Sequence, residues 1–286
     1  MVPPKSKLGQ NFLRDPQAIR RIVAALGECT DRTVIEIGPG RGAITWELAS
    51  RAGRLVALEV DQAIAAQLSH DCSQLGPACS DKVVIKTVDV LAFDFEEASR
   101  AASGKLIIIG NLPYYITSPI LTRLAGSANM LDRAVLMVQR EVADRVTAKP
   151  GTRDYGLLSV MVQMHGNVEQ LFTLPPSAFS PPPEVHSTVF RWRFAPRWQD
   201  LGLDRDSFLS FLRRVFALKR KTLANNLRAA EIPPDIIVSA LASSGIDPKS
   251  RAEELSLETL ACLWRSLQKN GAISLSETAP SFRSTT

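Results

Sequence analysis

Residues 111–114 read Asn-Leu-Pro-Tyr and follow the apolar run Leu106–Ile109 and Gly110. An amide side chain, the bare carbonyls beside a proline and an aromatic ring make a set that suits a flat base bearing an amino group. Proline lacks an N–H and fixes φ, so the turn is stiff. A run of β-branched residues that stops abruptly at such a turn reads as a buried strand. Open α/β sheets keep their ligands at the carboxyl ends of strands, where this turn falls. The same tetrapeptide also suits a plain strand-ending loop with a packed tyrosine. What it does therefore depends on whether the chain supplies a cofactor and a surface for nucleic acid.

A second constellation bears on the cofactor. The run Thr33–Ile37 leads into Gly38-Pro39-Gly40-Arg41-Gly42, and closely spaced glycines at a strand-to-helix turn let a ligand approach the backbone. The next apolar run ends in Glu59, placed to accept hydrogen bonds from ribose hydroxyls, and a third ends near Asp89, placed to reach an adenine amino group. A dinucleotide and S-adenosylmethionine both fit such a site. The dinucleotide fingerprint is Gly-X-Gly-X-X-Gly, and the spacing here is one residue short. Glu36, just before the turn, suits a cationic ligand better than a pyrophosphate, which favours S-adenosylmethionine.

The elements that must position these residues follow from periodicity. Thr33–Ile37, Leu55–Glu59, Val83–Val88, Leu106–Ile109 and Ala134–Val138 read as strands. Gln17–Leu26 (behind an Asp15 cap and Pro16), Ala43–Ala52, Gln62–His70 and Pro119–Ala125 read as helices, with a weaker link over 92–102. Such alternation predicts a parallel sheet with helices on both faces. Arg140–Ala148 and Gly156–His165 read as further helices, and Asn167–Leu174 with His186–Phe194 as an antiparallel pair closing the sheet. From Ala195-Pro196 the pattern turns wholly helical: Asp206–Leu218, Arg220–Ala229, Pro234–Ser243 and Leu257–Lys269. The expected organisation is an α/β domain over 1–197, a smaller helical domain over 198–269 and a disordered tail over 270–286.

Composition narrows the class. At 286 residues the chain can bury a substantial core, and its apolar runs fall far short of a membrane span. No secretory or organelle leader is expected at the N-terminus. Four scattered cysteines (Cys29, Cys72, Cys79, Cys262) and three distant histidines (His70, His165, His186) give no metal or disulfide pattern, so no metal is expected. The net charge of +5 is concentrated: ten Lys or Arg against three Asp lie between Arg191 and Arg228. Arg213-Arg214 and Lys219-Arg220-Lys221 fall on sequence that reads as helical, interleaved with Trp192, Phe194, Trp198, Phe208, Phe211 and Phe216. That mixture fits a surface for a nucleic-acid backbone at least as well as a solvated helix face.

With these residues placed, the chain resembles the bacterial small-subunit ribosomal RNA adenine N6,N6-dimethyltransferases from about residue 5 to 268. The resemblance is carried by Gly9-Gln10-Asn11-Phe12-Leu13, Gly38-Pro39-Gly40, Gly110-Asn111-Leu112-Pro113-Tyr114-Tyr115, Gln139-Arg140-Glu141-Val142 and Tyr155-Gly156-Leu157-Leu158. Phe179-Ser180-Pro181-Pro182-Pro183, Arg220-Lys221-Thr222-Leu223 and Gly245-Ile246-Asp247-Pro248 continue it, whereas Arg41 and Tyr115 stand where that family varies. It implies a Rossmann-like class I S-adenosylmethionine-dependent methyltransferase sheet with a smaller all-helical C-terminal domain. It implies a cofactor pocket lined by Asn11, Leu13, Gly38, Glu59, Asp89 and Asn111. The catalytic set would be Asn111, Leu112, Pro113, Tyr114 and Phe179, with the target adenine stacked between Tyr114 and Phe179. Arg213, Arg214, Lys219, Arg220 and Lys221, with Lys5 and Lys7, would meet RNA phosphates.

The expected partner is small-subunit ribosomal RNA, within the small subunit or its precursor. The chain would act on it as a cytoplasmic monomer, with two adjacent adenines in a hairpin near the RNA 3′ end as targets. Rival readings are a large-subunit adenine methyltransferase giving antibiotic resistance and a noncatalytic nucleic-acid-binding factor on the same scaffold.

Overall fold

The computed structural model describes residues 11–102 and 104–271; Lys5, Lys7, the Gly9-Gln10 pair and the tail from 272 onward lie outside them. The chain opens with β1 (Phe12–Leu13), α1 (Pro16–Ala24), β2 (Thr33–Ile37), α2 (Ala43–Ala49), β3 (Arg54–Glu59) and α3 (Gln62–Gln74). There follow α4 (Pro77–Ser80), β4 (Val83–Thr87), α5 (Phe95–Ala101), β5 (Leu106–Asn111), α6 (Thr117–Gly126) and β6 (Leu131–Gln139). The α7 (Arg140–Thr147) and α8 (Leu157–Met164) helices precede β7 (Gly166–Leu174), β8 (Phe179–Ser180) and β9 (Ser187–Phe194). Four helices follow: α9 (Arg205–Val215), α10 (Leu223–Ala229), α11 (Pro234–Ser243) and α12 (Leu257–Lys269).

Seven strands form one sheet in the order β4-β3-β2-β5-β6-β9-β7. The pairs from β4 through β6 are parallel, and β9 pairs antiparallel with both β6 and β7. β2, β3 and β5 are buried along almost their whole length, as parallel strands covered on both faces must be. The chain leaves β2 towards β3 and β4 on one side, then returns to place β5 and β6 on the other. The edge between β2 and β5 is thus the topological switch point, where ligands bind in open α/β sheets.

Local chemistry explains the element ends. Asp15 caps α1 by accepting from the Gln17 and Ala18 N–H groups, with Pro16 in the first helical position. Asp61 caps α3 in the same way, on Ala63 and Ile64. β5 runs on to Asn111, past the expected end at Ile109, because Gly110 and Asn111 pair with Leu136 and Met137. At Gly110 a Cβ would stand 2.7 Å from the Ile37 carbonyl oxygen, so glycine is what lets β5 close on β2 here.

Contacts divide the chain into two units. Among the described residues, one comprises those from 11 to 147 with 165–195; the other comprises 148–164 with 196–271. Residues 148–164 therefore belong with the helices, not with the 1–197 stretch to which sequence reading assigned them. The reason is packing: Tyr155, Val160 and Met164 bury in the same apolar cluster as Phe208, Phe211, Leu212 and Trp264. Within that core the Phe208 ring stacks on Phe211 at 5.7 Å and meets Trp264 edge-on at 5.9 Å.

Two sequence expectations need correction here. Lys219, Arg220 and Lys221 do not sit on a helix; α10 begins only at Leu223, behind the Thr222 cap. Arg220 takes φ +67°, which no continuing helix allows, and the buried Asn226 side chain fixes the turn by bonding both N–H and C=O of Leu218. The interleaved aromatics are core rather than a nucleic-acid surface: Trp192, Phe194, Phe208 and Phe211 are buried, and Trp198 and Phe216 pack against the helical cluster. Truncating Phe208 to alanine is expected to cost about 3–5 kcal/mol of stability in urea denaturation. A loss below about 1 kcal/mol would show that this ring is not central to the helical core.

Candidate active site

The parallel register sets the geometry. Ile37 stands opposite Leu58 on one side and Gly110 on the other, so Gly38, Glu59 and Asn111 emerge side by side. They border a cavity of about 470 Å³, within the range of small-molecule sites. Asn11, Leu13, Gly38, Glu59, Asp89 and Asn111 all line it, as do Leu112, Pro113 and Tyr114. The N-terminal part arrives through β1, whose Phe12 and Leu13 pair antiparallel with Ser180 and Phe179 of β8. A Cβ on Gly40 would stand 3.1 Å from the Phe12 ring, so the turn and β1 meet closely.

Phe179 does not join this constellation. It is 1% exposed and packed in the apolar core with Leu13, Ala178 and Val189, because its place opposite Leu13 in the β1–β8 pair turns the ring inward. It shapes the wall through Leu13 and does not offer a stacking face in this structure. The Tyr114 ring is half-buried, with its hydroxyl 2.9 Å from the Ser187 Oγ at the start of β9.

The electrostatics suit a cationic ligand. Glu59 is 5% exposed, and its carboxylate accepts from the N–H groups of Gly40, Val60 and Asp61 at 3.2, 2.9 and 3.0 Å. Glu36 is buried, and the Thr45 hydroxyl donates to it at 2.7 Å. Burial pushes the Glu36 pKa from its ordinary 4.5 up to about 7; the Thr45 bond pulls against this and the Glu59 charge adds to it. Asp89 accepts from the Leu91 N–H at 2.9 Å, which fixes its carboxylate at the end of the β4 loop.

The three glycine amides of the turn are already engaged. Gly38 N–H donates to Leu58 O, Gly40 N–H to Glu59 and Gly42 N–H to Pro39 O. A pyrophosphate would need such amides, whereas a ligand with a sulfonium and an ammonium would not. The donor set thus fits S-adenosylmethionine and not a dinucleotide.

On the opposite wall the turn after β5 presents acceptors. Leu112 N–H donates to Met137 O at 2.9 Å, and the Pro113 carbonyl is taken by Ile116 N–H and the Thr117 hydroxyl. Asn111 donates its Nδ2 to the Asn11 carbonyl at 3.2 Å. Among the described residues no donor meets the Asn111 amide oxygen or the Leu112 carbonyl, so two acceptors stand open on one rigid turn.

Sequence reading passed over several lining residues. Val60 and Leu91, 43% and 37% exposed, follow the acidic strand ends, and Tyr115, 55% exposed, completes the rim. Its phenol is pushed up by burial and then by the charges of Asp89 and Glu59, which places it on the acidic side of the cavity. The legible signal was the pattern itself, an acid followed by an apolar residue where a strand ends, which builds a slot with polar ends and greasy walls. In the helical unit Arg213, Lys219, Arg220 and Lys221 are exposed and Arg214 is half-buried, the first pair closing α9 and the triplet in the turn beyond it. Among the described residues no cluster of His, Cys, Asp and Glu could hold a metal ion.

Comparisons with known proteins bear on this geometry. A family model described as Ribosomal RNA adenine dimethylase matches residues 3–269. The chain is 54% identical over 264 residues to the Ribosomal RNA small subunit methyltransferase A of Acidobacterium capsulatum, spanning 92% of this chain and 91% of that one. Among solved structures it is similar in fold to a dimethyladenosine transferase from Plasmodium falciparum, with TM-score 0.79, 22% identity, and 92% and 99% of the two chains covered. It is also similar to the 23S rRNA methyltransferase ErmE, with TM-score 0.67, 25% identity, and 90% and 100% covered.

The raised Glu36 pKa has a direct consequence for stability. The folded state holds the Glu36 proton more tightly than the unfolded chain, so this residue's contribution is full below about pH 4.5 and fades as pH rises to about 7. Glu36→Gln should therefore gain stability on the parent chain over that interval, by roughly 3 kcal/mol at most, in denaturant titrations at several pH values. A stability difference that does not change with pH would contradict this.

Proposed function

Because this chain belongs to the ribosomal RNA adenine dimethylase family, we propose that it dimethylates the exocyclic amino groups of two adjacent adenines in small-subunit ribosomal RNA. The targets lie in a hairpin near the 3′ end, and the chain acts on the small subunit or its precursor, as a cytoplasmic monomer with a role in subunit maturation. S-adenosylmethionine, when bound, supplies a methyl group on a sulfonium, open to displacement by an amine. Glu59 would hold its ribose hydroxyls and Asp89 its adenine amino group, with Asn11, Leu13, Gly38 and Asn111 completing the wall.

The reading rests chiefly on the open acceptors of Asn111 and Leu112. An adenine amino group is a poor nucleophile because its lone pair is delocalised into the ring. Donating its two N–H groups to the Asn111 amide oxygen and the Leu112 carbonyl would hold the nitrogen nearer tetrahedral geometry and free the lone pair. The residues thus act by positioning and local electrostatics, and Pro113 keeps the turn stiff. No strong base is needed, since the amino proton becomes acidic once the nitrogen is alkylated and passes to solvent. Turning the base out of its stack is offset in part by the Tyr114 ring, where stacking is worth ~1–3 kcal/mol.

The basic residues Arg213, Arg214, Lys219, Arg220 and Lys221 would add salt-dependent affinity for RNA phosphates without reading sequence. The large-subunit reading is less favoured: ErmE shares 25% identity, against 54% for a relative named for the small subunit.

Asn111→Ala should lower methyl transfer to undermethylated small subunits by about 100-fold or more while the folded cavity is kept. Near parental transfer with intact cofactor binding would remove the proposed mechanism. Neutralising Lys219, Arg220 and Lys221 together should weaken RNA binding and flatten its dependence on salt by ~0.7 or more per lost phosphate contact. An unchanged slope would mark the triplet as solvated surface.

A further inference from the structure

We propose that Arg41 is the residue that holds the α-carboxylate of the methyl donor, an inference that rests on the cofactor reading above. Among the described residues lining the cavity, Glu36, Glu59 and Asp89 are acidic and Arg41 alone is cationic. S-adenosylmethionine brings one carboxylate beside its sulfonium and ammonium, and Arg41 is the one lining side chain whose charge is opposite to that carboxylate. The Gly38, Gly40 and Gly42 amides are not free for that carboxylate, because each already has a carbonyl or carboxylate partner.

Arg41 is held in place without being neutralised. Its guanidinium lies over the Phe12 ring, 4.5 Å from the centroid, where cation–π attraction fixes it at the cavity mouth. Phe12 in turn belongs to β1 and packs at the Gly40 position, so the ring cannot drift. The nearby carboxylates are committed elsewhere: Asp61 caps α3 and Asp71 accepts from Gln67 at 2.8 Å. Among the described residues no carboxylate lies within ion-pair distance of Arg41. A guanidinium fork that is charged, exposed and unpaired at a cavity mouth is suited to bidentate capture of a carboxylate. A phosphate of the RNA strand could use the same fork, and the test separates the two.

Calorimetry on the full chain and on Arg41→Gln would use two probes, S-adenosylhomocysteine and 5′-methylthioadenosine, which lacks the amino-acid portion. The expected result is a loss of about 10-fold or more in affinity for S-adenosylhomocysteine, with 5′-methylthioadenosine binding unchanged and partial recovery in Arg41→Lys. Equal loss for both probes would overturn the proposal, placing Arg41 in the scaffold through Phe12. Unchanged binding of both, with a flatter salt dependence of RNA binding, would overturn it in favour of an RNA phosphate. If the parent chain bound neither probe, the cofactor reading itself would fall, and this assignment with it.

Discussion

Ile37 stands level with Leu58 and with Gly110, and this one register across β2, β3 and β5 governs how the site is built. Parallel pairing brings the carboxyl ends of three strands to a common edge, and the reversal of strand order at β2 leaves a crevice there. Gly38, Glu59 and Asn111 become neighbours although they are separated by 21 and 52 residues in sequence. A slip of one residue in β5 would turn Asn111 to the other face and move the open carbonyl of Leu112 out of the cavity. The absence of a side chain at Gly110 is what permits the register, since a Cβ there would meet the Ile37 carbonyl.

The register also concentrates negative charge. Glu36 is buried with a raised pKa, Glu59 is buried under three backbone donors, and Asp89 is fixed by the Leu91 amide. Such a cluster is costly without a positive partner. A ligand carrying a sulfonium and an ammonium supplies one, which links the arrangement of the acids to the chemistry of methyl transfer. The facing wall has the opposite character: neutral acceptors on a stiff turn, an aromatic ring and no titrating base. In the proposed mechanism its part is to hold an amine still rather than to move its proton.

Much of this was legible because period and punctuation are local. The strands from Thr33 to Val138 announced themselves as apolar runs, and Asp15-Pro16 marked the start of α1 correctly. Glu59, Asp89 and the Gly38–Arg41 part of the turn pointed to the cavity that they line. What depended on tertiary packing was not legible. Phe179 looked like a stacking ring beside a proline-rich loop, but pairing with β1 buries it beside Leu13. Tyr155, Val160 and Met164 carry no mark that they pack with residues more than 40 positions further on. The turn over 219–221 defeated the helical pattern because Asn226, a polar residue inside a later helix, fixes it by hydrogen bonds.

The central claim is that this edge of the sheet doubly methylates an adenine amino group on small-subunit RNA. Incubating the purified chain with S-adenosylmethionine and undermethylated small subunits, then digesting the RNA to nucleosides for mass spectrometry and mapping by primer extension, tests it most directly. The account predicts N6,N6-dimethyladenosine at two adjacent positions near the 3′ end and none in large subunits treated alike. Methylation confined to large-subunit RNA, or a product that stops at a single methyl group, would contradict it.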